Sequence, residues 1–183
     1  MAKIFQLKIQ LNNFKPSTFR TILIKPDMSF YKLHYVILET FNFSGGHMYA
    51  FTLPGPNSEI ITSDPLYKLE EGEIDARKTK VQNFFDAVGQ KCLYEYDFGD
   101  SWRFTVLLQK ICDSKDLKVK KFPHLLKFKG PMLLDDIGGP WTLSEIQELY
   151  KKGDFKKIES EYYLEREIVE DMFEYDWDDF SLC

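Results

Sequence analysis

The chain is poor in cysteine, in arginine and in long apolar runs, and each shortage removes a class of protein. Cys92, Cys112 and Cys183 are odd in number and far apart, with no C-x-x-C pair. That pattern argues against a disulfide framework and a thiolate zinc site, and reads as reduced thiols in a cytoplasmic protein. No apolar run approaches the roughly 20 residues a membrane span needs, so no membrane partner is expected. Met1 to Gln10 alternates apolar and polar residues, unlike a signal or transit peptide. Arg20, Arg77, Arg103 and Arg166 are scattered, whereas a serine recombinase needs a serine among several arginines to stabilise phosphoryl-transfer charge. Asp97-Phe98-Gly99 spells the metal motif of protein kinases, but no Gly-rich phosphate loop, V-A-I-K or H-R-D accompanies it.

What is present is core material. The 183 residues are 44% hydrophobic and 16% aromatic, enough for a single domain over 1–183 that buries roughly 70% of its extended-chain surface. The formal net charge of −5 hides two opposed segments. Residues 110–130 hold seven Lys against two Asp, and residues 161–183 hold nine acids against Arg166 alone. Residues 174–183 read as an acidic tail, suited to docking on the Lys-rich segment, to a basic partner, or to plain solvation.

Periodicity gives the elements. Phe5, Leu7, Ile9 and Leu11 mark a first strand and Phe19 to Ile24 a second. Ser29 caps a helix carrying Phe30, Leu33, Ile37 and Phe41, and His47 to Leu53 is a third strand. Residues 57–77 are polar and weakly periodic. Thr79 to Val88 is expected as a short helix with Val81, Phe84, Phe85 and Val88 inward, stopped by Gly89. Residues 112–134 carry no assignable element. Gly138-Gly139-Pro140-Trp141 is expected as a tight turn, with a helix from Thr142 or Ser144 through Tyr150. Residues 154–173 read as helical, with Ile158, Tyr162, Leu164, Ile168 and Phe173 packing. The fold class is α+β: a largely antiparallel sheet with an N-terminal β-β-α-β unit, packed against helices.

The organising stretch is a hairpin over residues 92–108. Tyr94, Tyr96 and Phe98 alternate with acids before Gly99-Asp100-Ser101, and Trp102, Phe104 and Val106 alternate with Arg103 and Thr105 after it. A two-residue turn would set Tyr96 against Arg103. An odd-numbered loop instead gives one aromatic face, with Phe98 opposite Trp102, Tyr96 opposite Phe104 and Tyr94 opposite Val106, and it places Asp97 beside Arg103.

Two groups of residues bear on function. Asp97, Asp100, Asp135 and Asp136 sit beside Gly-rich turns, where side chains are exposed and backbone can approach a ligand. With His34 and His47 they could line one cleft holding a divalent metal, and a metal-bound water would permit hydrolysis. His34, His47, Asp97 and Asp100 are the candidate metal ligands. Each has a plainer role as well: Asp97 as partner of Arg103, and His34 as a hydrogen-bonded core histidine. Lys115, Lys118, Lys120, Lys121, Lys127 and Lys129, interleaved with Phe122 and Phe128, could instead touch phosphates and stack on bases, or form a solvated loop. Candidate binding residues are Asp97, Asp100, Asp135, Asp136, Trp141, Lys118, Lys120 and Lys121. No catalytic residue and no resident cofactor is expected.

Several motifs together resemble the plasmid-pRiA ORF-three-like proteins, also known as the insertion-element passenger TnpR family. Lys15-Pro16-x-x-Phe19-Arg20 is similar to its K-P-x-x-W-R, Leu33-His34-x-x-Ile37 to L-H-x-x-I, and His47-Met48-Tyr49-x-Phe51 to H-L-Y-x-F. Tyr96-Asp97-Phe98-Gly99-Asp100-x-Trp102 matches Y-D-F-G-D-x-W, the most specific of the set, and Asp136-x-Gly138-Gly139-Pro140-Trp141 resembles E-D-x-G-G-P. Where the family has an acidic residue and then His after the tryptophan, this chain has Arg103 and Phe104. Leu133-Leu134-Asp135-Asp136 replaces a stretch bearing Cys and Pro-Pro, so no role of that His or Cys carries over. The resemblance implies an α+β fold and mobile-element neighbourhoods, and no established reaction or ligand. The expectation is a non-catalytic intracellular binding domain. The alternatives are a metal-dependent hydrolase using the Asp/His set and a nucleic-acid-binding accessory protein using residues 115–129.

Overall fold

The computed structural model describes residues 2–55, 58–63 and 68–175. Strands β1 (Lys3–Leu11) and β2 (Phe19–Ile24) pair antiparallel, helix α1 (Phe30–Phe41) follows, and β3 (Tyr49–Thr52) re-enters the sheet. Then come β4 (Ile60–Thr62), β5 (Glu73–Asp75), β6 (Lys91–Tyr96), β7 (Trp102–Asp113) and β8 (His124–Lys129), and last the helices α2 (Gly139–Lys152), α3 (Phe155–Tyr162) and α4 (Arg166–Glu174). All eight strands form one sheet in the order β5-β4-β3-β6-β7-β1-β2-β8. Every neighbouring pair is antiparallel except β4 and β5, which are parallel. The fold is therefore α+β with the expected N-terminal β-β-α-β order.

Helix α1 covers the sheet because its apolar residues recur at helical spacing. The Ser29 hydroxyl accepts from the Lys32 amide at 3.2 Å, and Asn42 closes the other end at φ 71. Phe30, Leu33, Ile37 and Phe41 are wholly buried; Phe30 meets Phe51 at 5.0 Å and Phe41 meets Phe104 at 4.7 Å between ring centroids. Such burial contributes roughly 1.5–3 kcal/mol per side chain. Arg20 lies beneath the end of α1, fully buried. Its Nε donates to the Thr40 carbonyl at 2.7 Å, Nη1 to Lys129 O at 2.9 Å and Nη2 to Pro131 O at 2.8 Å, with Phe41 below it. The guanidinium thus satisfies a carbonyl at the negative end of the helix and ties down the chain leaving β8.

The hairpin has the odd-numbered loop, but its register is two residues from the expected one. Tyr96 faces Trp102, Tyr94 faces Phe104 and Cys92 faces Val106, across a loop of Asp97 to Ser101. Phe98 is not in the ladder and is 47% exposed. Arg103 pairs with Glu95, Nε to Oε1 at 3.1 Å, rather than with Asp97. A two-residue slip keeps every side chain on its face, so alternation could not distinguish the two registers.

Five other expectations are corrected. Residues 79–88 hold only a single 3₁₀ turn, Val81–Asn83, because their amides turn to the loop before α1: Val81 N donates to Met28 O at 2.8 Å and Gln82 N to Pro26 O at 2.9 Å. Val81 and Phe85 are buried, but Val88 is 59% exposed. Gly139-Pro140-Trp141 is the first turn of α2 rather than a separate turn, with Pro at the start, where its missing N–H is harmless. Residues 154–173 form two helices, split where Tyr163 adopts φ 58, and Ile168 faces outward. Residues 112–134 contain β8, an edge strand, and residues 57–77 contain β4 and β5, three residues each and too short for alternation to register. Most of the acidic tail, residues 176–183, lies outside the described residues.

Candidate functional site

Three loops meet at the hairpin end of β7: Ser44 to Met48 after α1, Asp97 to Ser101, and Asp135 to Gly138 before α2. Polar contacts stitch each to the others. The Asp97 amide donates to Met48 O at 2.9 Å. Asp135 accepts from the Ser44 amide on Oδ2 at 2.7 Å and from the Tyr96 hydroxyl on Oδ1 at 2.9 Å. The same hydroxyl accepts from the Gly45 amide at 3.1 Å. The Gly138 amide donates to Asp100 Oδ2 at 3.0 Å, so the hairpin tip and the Gly138-Gly139 turn do meet. Gly139 has φ +73, and a Cβ there would lie 2.1 Å from the Asp100 carbonyl oxygen. Only glycine permits that approach.

Within this frame His47, Asp97 and Asp136 come together. His47 Nδ1 lies 3.6 Å from Asp97 Oδ2 and its Nε2 3.4 Å from Asp136 Oδ1. One donor atom from each residue can be chosen so that all lie within 4.8 Å of one another. Asp97 Oδ1 is held by the amides of Gly99 at 3.0 Å and Asp100 at 3.3 Å, which leaves Oδ2 for His47. Asp97 is nearly buried and Asp136 exposed, so one carboxylate is fixed and the other can swing. Both Asp97, at φ 54, and Asp136, at φ 60, hold a left-handed backbone that most residues avoid.

The remaining expected residues are placed as follows. Asp100 and Asp135 brace the loops through the bonds above. His34 lies in the core: its Nδ1 shares a 2.8 Å hydrogen bond with the Tyr94 hydroxyl, and its ring stacks on Tyr49 at 3.6 Å. Burial lowers its pKa to about 3, which keeps the imidazole neutral. Trp141 is 80% exposed on the first turn of α2, one residue past the Gly138-Gly139 pair. Lys118, Lys120 and Lys121 lie in the exposed connection before β8, away from the three loops in the chain. Tyr96 is the residue that sequence reasoning missed. Burial, then the hydrogen bond to Asp135, holds its hydroxyl well above the usual phenol range, so it stays a proton donor. The available signal was the choice of Tyr over Phe at a core-facing position, since a buried hydroxyl needs a partner.

One imidazole and two carboxylates are a donor set for a divalent ion of the manganese or zinc type, since imidazole suits zinc and carboxylate suits manganese. A single ion takes one ring nitrogen, and Asp136 can turn to join it.

A family model described as plasmid pRiA4b ORF-3-like protein matches residues 3–182. The Sinorhizobium fredii (strain NBRC 101917 / NGR234) protein described as "Uncharacterized protein y4hQ" is 26% identical over 149 residues, covering 81% of this chain and 73% of that one. Among solved structures, a protein of unknown function, MM3350 from Methanosarcina mazei Go1, is similar with a TM-score of 0.75 and 24% identity, over 87% of this chain and 88% of that chain.

Proposed function

The chain belongs to the plasmid pRiA4b ORF-3-like protein family, and from that premise we propose that it works by binding, with a divalent cation held at the three-loop site. The convergence of His47, Asp97 and Asp136 carries this reading. Asp97 and one His47 nitrogen form the fixed side, and Asp136 closes over the ion. Asp100, Asp135 and Tyr96 position the loops without ligating. Met48, Phe98 and Trp141 are exposed on or beside the three loops and would supply apolar contact to whatever the ion helps to hold. The role is that of a non-catalytic accessory protein in mobile-element gene neighbourhoods, in keeping with the plasmid origin in the family's name. Free Cys92 and Cys112 suit a reducing cytoplasm.

Titration calorimetry with Mn²⁺, Zn²⁺ and Mg²⁺ tests it. Mn²⁺ or Zn²⁺ should give saturable heat and raise the melting temperature, by about 2.7 kcal/mol of stability at a hundredfold excess over Kd. His47→Gln and Asp136→Asn should remove the effect while folding normally. No heat and no melting shift with any of the three ions would leave the cluster an ordinary ion pair. A metal-dependent hydrolase is the second reading, and one observation favours it: with only three protein donors, coordination positions stay open for water and substrate. Turnover of phosphoester or carboxylic ester substrates by the metal-loaded chain, lost in His47→Gln, is its test.

A further inference from the structure

The far end of β7 carries a second feature, roughly 35 Å from the hairpin loop at about 3.3 Å per residue. An open groove of about 920 Å³ lies there, between the start of β1, the turn after β2, the segment around Gln82 to Asp86 and the chain that follows β7. Its volume falls in the range of small-molecule sites, roughly 300–1,000 Å³. Lys3, Lys25, Lys115 and Lys120 line it against the carboxylates of Asp27 and Asp86. Lys120 Nζ is anchored on the carbonyls of Leu117 at 3.0 Å and Ser114 at 3.4 Å, and Lys115 leans on Asp113 at 3.8 Å. Lys3 and Lys25 have no ion pair among the described residues. Half-exposed Ile111 and Phe122 bring apolar surface to the groove, above the buried Ile4, Phe5 and Phe85.

We infer that this groove binds nucleotide chemistry, a phosphate held by Lys3, Lys25 and Lys120 with a planar base laid against Phe122. Ammonium groups bind phosphate as point charges, and an aromatic face takes any base because every base offers a π surface. A purely hydrophobic ligand would leave the lysines idle, and a bare inorganic anion would leave Ile111 and Phe122 unused. The lysines of β8, Lys127 and Lys129, are not part of the groove. That separates it from general attraction to the basic segment.

A free nucleotide and a single-stranded polynucleotide share this chemistry, and two probes distinguish them. The full chain is titrated with ATP by calorimetry and with a fluorescein-labelled oligo-dT by anisotropy. EDTA is present throughout, so that the His47 site plays no part. Saturable binding of either probe is expected, weakening as salt rises, and falling about tenfold in the double variant Lys3→Gln, Lys25→Gln and in Phe122→Leu. ATP binding identifies a mononucleotide site; oligo-dT binding without ATP binding identifies a strand site, and both support the inference. The double variant Lys127→Gln, Lys129→Gln, on the β8 edge, should leave binding unchanged. No saturable binding of either probe would overturn the inference, as would equal losses in the groove and edge variants, which would mean unspecific attraction.

Discussion

A single buried imidazole gives this fold a pH dependence. His34 is held neutral down to about pH 3, against an ordinary value of 6.5. The unfolded chain therefore takes up a proton near pH 6.5 that the folded chain refuses. Between those values the unfolded state binds more protons, so stability is full above pH 6.5 and falls as pH falls, by up to about 1.4 kcal/mol per pH unit. His34→Gln removes the titration while keeping a side chain able to hydrogen-bond the Tyr94 hydroxyl. Urea midpoints measured from pH 7 to 5 should fall less steeply for the variant than for the parent; parallel slopes would show that His34 does not control the dependence. That His34 belongs in the core was legible from its place on the apolar face of a helix. Its partner was not, because Tyr94 comes from a strand 60 residues away in sequence. Arg20 was harder still: a lone arginine in an apolar strand gives no hint that its acceptors are carbonyls from two distant parts of the chain, Thr40 and the Lys129 to Pro131 stretch.

Between elements, the informative joint is that of hairpin and α2. Gly139 and Gly153 stand at the two ends of this helix with nearly the same positive φ, +73 and +70, but only Gly139 faces a neighbour, the Asp100 carbonyl. The pair separates conformational strain from close approach. Gly153→Ala should cost about 1 kcal/mol, the penalty of a left-handed alanine. Gly139→Ala should cost at least about 2 kcal/mol, because the added carbon also forces the hairpin tip away. Denaturant unfolding of the two variants checks this, and equal losses would mean the joint is loose. That Asp100 and the turn bearing Asp136 and the glycine pair could share a cleft was legible, since both are turns rich in polar and small residues. The hairpin register was not, because faces are set by parity and a slip of two leaves parity intact. The helix expected at residues 79–88 failed for a related reason: periodicity reports where side chains go, and here the amides had nearer carbonyls outside the segment.

At the scale of the whole molecule, the basic segment acquires a plainer role beside any ligand. An eight-stranded open sheet has two edges, each a template for unwanted pairing. One edge, β5, is three residues long and acidic at both ends. The other, β8, is six residues long and exposes Lys127 and Lys129. Charge at an edge discourages addition of another strand, which explains lysines where composition alone suggested phosphate contacts. Replacing both by isoleucine should promote association through the edge. Light scattering across a concentration series should then show a mass rising faster than for the parent chain; identical profiles would mean the edge is guarded by something else. Fold class followed from alternation and helical spacing across the N-terminal half. That the turns bearing His47, Asp97 and Asp136 could share one cleft was legible; which of the six residues meet there, with His34 and Asp100 left out, was not, because it depends on which strands are neighbours, and strand order is a tertiary property.

The stitched loops also bear on the chain's synthesis. His47 and Asp97 leave the ribosome well before Asp136, and Asp136 takes its place only when Asp135 reaches Ser44 and Tyr96 and Gly138 reaches Asp100. An N-terminal fragment that has already paired β3 with β6 would present the fixed half of the cluster without its closing carboxylate. The three-residue cluster can be complete only once the segment that opens α2 has been made. A chain cut short before that segment would lack the completed centre.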